Sequence, residues 1–199
     1  MQMRVIYYIC FFIPILGFSQ TNWEIAKNKE EIQIWVRNYK DSPYKEYKAT
    51  TQIKTSLKKV IQELLEAPTY TENCEDGVSH LIYIDNMEYF FYVRNEFPWP
   101  IKDRDVVSKL TIENISSDKV KLHIEAAYDA LPIVKGTLRI QDLSGYWLLE
   151  EKDDTVTITQ QLYINPEGSL PPFIVNSLLV TGPFKTFLAL KKTLHNIHS

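Results

Sequence analysis

The stretch TVTITQQLYINPEGSLPPFIVNSLLVTGPFKTFLALKKTL, residues 155–194, holds the fold in outline. Its first ten residues alternate. Val156, Ile158, Leu162 and Ile164 fall on one side, with Gln160 interrupting, and Thr155, Thr157, Thr159, Gln161 and Tyr163 fall on the other. Period two with one polar side marks an antiparallel strand that has a wet face. Pro171-Pro172 then supplies a helix-starting proline. Phe173 to Leu194 carries apolar residues at Ile174, Leu178, Leu179, Phe184, Phe187, Leu188 and Leu194, a long C-terminal helix. Gly182-Pro183 falls in its middle. An interior proline removes a backbone hydrogen bond and kinks a helix, so two half-helices hinged at 182–183 are expected.

Upstream, strands dominate. Ile32, Ile34 and Val36 alternate with polar neighbours, as do Tyr47, Ala49, Thr51 and Ile53, with Asp41-Ser42-Pro43 as the turn between them. Leu57, Val60, Ile61, Leu64 and Leu65 follow the spacing of an amphipathic helix, capped by Thr55 or Ser56 and followed by Pro68. Strands are then expected at 78–84, 88–94, 105–114, 119–128, 133–141, 146–151 and 155–164. Asp85-Asn86, Ser116-Ser117-Asp118, Leu143-Ser144-Gly145 and Asp153-Asp154 mark turns. Strand–strand–helix–meander–helix is an α+β order. A strongly curled antiparallel sheet wrapped on the long helix is the simplest arrangement that buries that helix.

The first residues read differently. Arg4 precedes an apolar run from Val5 to Leu16, and Gly17-Phe18-Ser19 places small residues ahead of a cut after Ser19. This is the pattern of a signal peptide over residues 1–19. It implies export to the periplasm or medium, with 20–199 as one folded domain. Cys10 lies inside the apolar run, preceded by Ile9 where a lipidation site wants a small residue. Of 199 residues, 22 are basic and 25 acidic. Losing Arg4 leaves the exported chain more acidic still, which argues against a nucleic-acid partner. Only Cys74 would remain, so no internal disulfide is expected. It reads as an unreactive thiol, with no His nearer than His80. Asn114-Ile115-Ser116 is a glycan acceptor only in a eukaryotic host.

Three blocks then carry a family likeness. Pro98-Trp99-Pro100-Ile101-Lys102-Asp103-Arg104-Asp105-Val106-Val107 runs from a Pro-rich loop into Arg-Asp at a strand start. Gly145-Tyr146-Trp147 opens a later strand, and Asn165-Pro166-Glu167-Gly168-Ser169-Leu170-Pro171 turns into the last helix. Together, over roughly Trp23 to Leu194, the chain resembles the START (steroidogenic acute regulatory protein-related lipid transfer) family. The resemblance implies a helix-grip fold with an apolar cavity between sheet and C-terminal helix. It also implies binding of sterols, phospholipids or related apolar ligands. Some sterol-binding members place a buried Glu and Arg in the tunnel. Counted from Arg104-Asp105, those positions fall near Phe91 and Leu110 here, which implies a drier tunnel.

The expected function is to bind a hydrophobic lipid and carry or sense it outside the cytoplasm, as a monomer with transient membrane contact. Each buried methylene contributes about 0.8 kcal/mol, so an acyl chain can be held without many polar contacts. Phe91, Leu110, Ile112, Ile124, Ile158, Leu162 and Leu178 are the expected walls; the alternative is that they fill a solid core. Phe97, Trp99 and Ile101 form the expected lid loop, opposite the helix half after Pro183, with Gly182 and Pro183 as its hinge. Trp99 is read either as a gate or as a plug in the core. Arg104 and Asp105 are expected to anchor the loop by an ion pair or backbone hydrogen bonds.

No phosphate loop or nucleophile elbow is present in the sequence. No cofactor is expected, and His195 and His198 lack a third metal ligand nearby. Glu30-Glu31 and Glu150-Glu151 read as turns or solvated strand ends. The alternative function is a cyclase- or hydrolase-like enzyme acting on an apolar substrate in the same cavity, with a Tyr or Asp as acid or base. A third reading is a protein-interaction module.

Overall fold

The computed structural model describes residues 22–66, 77–85, 88–97 and 99–196. The signal segment 1–19, Pro68, Asn86, Cys74 and His198 lie outside the described residues. Three strands open the chain, β1 (Glu24–Lys29), β2 (Ile32–Asn38) and β3 (Lys45–Lys54), followed by helix α1 (Leu57–Glu66). A meander follows: β4 (Gly77–Asp85), β5 (Glu88–Asn95), β6 (Arg104–Ser116), β7 (Lys119–Ala126), the two-residue β8 (Leu138–Arg139), β9 (Leu143–Lys152) and β10 (Thr155–Ile164). Helix α2 (Pro172–Asn196) ends the chain. The strands lie in the order β1-β2-β3-β10-β9-β7-β6-β5-β4, all antiparallel, with β8 added in parallel to β6. Helix α2 lies on β2 and β3. This is the curled α+β arrangement expected from the alternation and the long helix.

β1 is absent from the expected elements. Its side chains are almost all exposed, so it has no alternation to read. A short, charged strand of this kind blunts a sheet edge. Its hairpin to β2 turns at Glu30 and Glu31, both with positive φ (55° and 58°). Asp153 and Asp154 do the same between β9 and β10 (49° and 59°). Two-residue hairpins need this left-handed pair to match the strand twist. Lys191 of α2 holds the first turn, bonding the Glu30 carbonyl at 2.8 Å and the Glu31 carboxylate at 2.7 Å.

Two expected boundaries are corrected. The strand expected at 133–141 shrinks to Leu138–Arg139, because the chain around it is pulled toward Arg139 rather than along a ladder. Leu143-Ser144-Gly145, expected as a turn, opens β9 instead. Gly145 is there for close approach: a Cβ at that position would lie 2.1 Å from the Gln161 carbonyl oxygen of the neighbouring strand.

Helix α1 buries Leu57, Val60 and Leu64. Ser56 begins it, its carbonyl accepting from the Lys59 and Val60 amides. Glu151, read from the sequence as a solvated strand end, reaches across from β9 to accept the Leu57 amide at 3.1 Å. A carboxylate there complements the positive end of the helix.

One core cluster fills the concave face. It joins Ile32, Ile34 and Val36 of β2, Ile53 of β3, Leu149 of β9, Val156 and Ile158 of β10, and Leu179, Phe187, Leu190 and Leu194 of α2. Trp147 and Phe187 stack at 5.5 Å between ring centroids, fixing α2 over β9. A second, smaller cluster of Tyr44, Tyr163, Leu170 and Val175 closes the end where α2 begins. The two expected half-helices are a single helix: α2 continues through Pro183, whose ring is buried.

Candidate functional site

The candidate site is the apolar concave face of the sheet together with the face of α2 packed on it. On β5, β6 and β7 the inward positions are Phe91, Leu110 and Ile124, with exposures of 5%, 6% and 8%. Ile158 of β10 is sealed, and Ile112 and Leu162 are half-buried at the margin of the same cluster. Six of the seven expected wall residues therefore meet on one face. The seventh is corrected. Leu178 is 46% exposed, and Leu179, at 5%, takes the inward place. Two clefts formed by described residues lie near α1, beside Ser56 and Glu151, and neither is lined by the expected walls.

A hydrogen-bonded polar pair lies within the apolar lining. Tyr47 of β3 donates its hydroxyl to Gln160 Oε1 of β10 at 2.7 Å, with both residues buried. Burial pushes the Tyr47 phenol well above the ordinary tyrosine range, so it stays protonated. Its signal in the sequence was the glutamine that breaks the β10 alternation.

The lid loop divides in two. Trp99 is 92% exposed, which excludes the core plug. Phe97 is half-buried with the Arg104 guanidinium 5.3 Å from its ring centre, and Ile101 packs on the second cluster. The loop therefore meets the beginning of α2, near Val175, rather than the half after Pro183. Gly182 is exposed with open space around it, and Pro183 is remote in sequence from the loop's contacts. Asp103 braces the loop, accepting from Arg94 Nη2 at 2.7 Å and from the Phe97 amide at 3.1 Å. The Arg94 hydrogen bond, then the Phe97 amide, hold the Asp103 carboxyl below its ordinary value.

Arg104 and Asp105, adjacent in sequence, hold different partners. Arg104 donates to the carbonyls of Lys102, Pro166 and Glu167, tying the lid loop to the turn before α2. Asp105 takes both arms of Arg139, Nε at 2.7 Å and Nη2 at 2.9 Å, and the Tyr92 hydroxyl at 3.2 Å. Arg139 also donates to the carbonyls of Tyr128, Leu131 and Pro132. Sequence reading missed Arg139; a lone arginine between Leu138 and Ile140 was the available sign. The adjacent Arg-Asp pair thus gathers three loops at one end of the sheet. No group of three metal-ligating side chains exists among the described residues.

A STAR-related lipid transfer protein from Xanthomonas axonopodis has this fold. It aligns with 87% of this chain and 98% of its own at 33% identity, with a TM-score of 0.78. The chain belongs to the STAR-related lipid transfer family. Human StAR-related lipid transfer protein 5 superposes with a TM-score of 0.73 at 14% identity, covering 89% of this chain and 88% of that one, a likeness of fold alone. An uncharacterised protein of Pseudomonas aeruginosa is 29% identical over 174 residues, 85% of each chain. START domain-containing protein 10 of mouse is 20% identical over 163 residues, which span 79% of this chain and 56% of the mouse protein. No protein-family model matches the chain. The Arg104-Asp105 block and the Asn165–Pro171 turn, far apart in sequence, are bound to each other in space through Arg104.

Proposed function

We propose that this START protein binds one hydrophobic lipid between its concave sheet face and α2, and carries or senses it outside the cytoplasm. The observation that carries the reading is the 33% identity to a STAR-related lipid transfer protein over 98% of that chain. The inward positions Phe91, Leu110, Ile124 and Ile158 agree with it, being apolar and gathered on one face. Burying an acyl chain against such a face supplies about 0.8 kcal/mol per methylene, enough to offset the entropy of association without charged contacts. The Arg4-to-Ser19 pattern supports export, with a chain beginning at or near Gln20.

Membrane contact is proposed at the loop end. Trp99 and Phe173 are 92% and 75% exposed. Arg104 ties their two segments together through the Pro166 and Glu167 carbonyls. Exposed aromatics of this kind suit the membrane interface. The test is uptake: protein incubated with vesicles of mixed lipids, re-isolated and extracted, should return lipid at a stoichiometry near one per chain. Recovery of no lipid of any class would overturn the reading.

A further inference from the structure

Gln160 and Gln161 are neighbours on β10 that face opposite sides of the sheet, and their amides are treated differently. Outside, Gln161 uses both ends: Oε1 accepts from the Tyr146 hydroxyl at 3.0 Å, and Nε2 donates to Glu46 at 2.8 Å. Inside, Gln160 uses one end. Oε1 accepts from Tyr47, and among the described residues Nε2 has no protein partner. Yet the side chain is 93% buried, its exposure being 7%. Buried amide groups are nearly always hydrogen-bonded, because leaving water without a replacement partner is costly. Among the described residues the side-chain polar atoms that are both sealed and unpartnered are Thr55 Oγ1, Arg94 Nε and Thr137 Oγ1. Gln160 Nε2 is not among them, so a water-sized molecule still reaches this amide although the residue is only 7% exposed.

The surroundings say what partner the amide can take. In the strand register Gln160 lies between Ala49 and Trp147, both members of the core cluster, and Trp147 stacks on Phe187 of α2. The amide therefore looks toward α2 from an apolar wall whose neighbours carry no charge. On β5 and β6 the same concave face carries the buried Phe91, Ser108 and Leu110, none of them charged. We propose that Gln160, oriented by Tyr47, is the polar station of the lipid site and donates to an uncharged oxygen, an ester carbonyl or an alcohol hydroxyl, of the bound lipid. This rests on the lipid-binding reading and goes beyond it. A carboxylate is disfavoured, because Ala49, Trp147 and Tyr47, the neighbours of Gln160 among the described residues, bring no cation to offset its desolvation. Burial keeps the Tyr47 phenol protonated and donating, which leaves Nε2 as the free group.

The test displaces a fluorescent fatty-acyl probe from the full chain with four ligands of matched length: an alkane, a methyl ester, a primary alcohol and, at pH 8, a fatty acid. Wild type should bind ester and alcohol more tightly than the alkane or the carboxylate. Gln160→Leu and the closer-sized Gln160→Met should weaken ester and alcohol about five- to tenfold, the scale of one net hydrogen bond, while leaving alkane affinity within about twofold. Unfolding midpoints identify a variant that fails to fold, and the other is then read. Equal weakening of all four ligands overturns the inference and makes Gln160 structural. If the ester and the alcohol differ, the better one identifies the source of the oxygen. Wild type binding none of the four overturns both this inference and the lipid-binding reading. Alkane binding with no preference for ester or alcohol overturns the inference alone.

Discussion

Asp105 and Arg139 form a two-pronged ion pair, with side chains 0% and 2% exposed, at the point where β6 and β8 run in parallel. Removing one partner of such a pair strands a buried charge, at a cost of about 3–5 kcal/mol. Asp105→Ala should lower the unfolding free energy, measured in urea, by that scale. Arg139→Met should cost at least as much, because the carbonyls of Tyr128, Leu131 and Pro132 also lose their donor. A change within about 0.5 kcal/mol, the range of ordinary surface substitutions, would show that the pair does not hold the loops.

Asp103 makes the lid loop sensitive to acid. Its carboxyl lies below the ordinary 3.8, held there first by Arg94 and then by the Phe97 amide. A depressed carboxyl contributes stability that is present above its unfolded value and lost as the pH falls through the folded one. Hydrogen exchange at the Phe97 amide should therefore be slow at pH 5, once corrected for the intrinsic rate, and lose its protection below pH 3.8. Asp103→Asn should abolish the transition. Protection that persists unchanged to pH 2 would remove Asp103 as the brace.

Trp99 is 92% exposed, so little packing is lost on truncation. Trp99→Ala should leave the unfolding free energy within about 0.5 kcal/mol while slowing lipid exchange between vesicles several-fold. A stability loss of about 3–5 kcal/mol, the cost of emptying a core aromatic site, would instead make it a plug.

The phase of α2 is tested by two adjacent leucines. Leu179 is 5% exposed and Leu178 46%. Leu179→Ala should cost about 2–5 kcal/mol, and Leu178→Ala well under half as much. Reversal of that order by chemical denaturation would mean that the helix is rotated.

What was legible in the sequence tracks how strictly a side chain's place depends on one local rule. β10 was readable because a half-buried strand must alternate, and Val156, Ile158 and Gln160 are buried in that phase. β1 was not, because an exposed edge strand buries nothing and so has no pattern. α2 was visible in length but not in phase: apolar residues lie on several of its sides, so Leu178 and Leu179 are equivalent until the sheet chooses between them. Gly145 was misread because a glycine that admits a neighbouring strand looks like one that makes a turn. The inward positions of Phe91, Leu110, Ile124 and Ile158 followed from period two. The anchors did not, since Arg139 meets Asp105 across 34 residues of sequence, and nothing local predicts such a meeting. Gln160 was seen as an exception and is now explained as half of a buried pair with Tyr47.

The central claim is that this fold encloses a lipid, and native mass spectrometry of the chain purified from its own host tests it most directly. The expected spectrum has a peak for protein plus one apolar lipid, which collapses to the bare chain mass on solvent extraction. The bare chain mass alone, in protein that also takes up no lipid when incubated with host membranes, would contradict it.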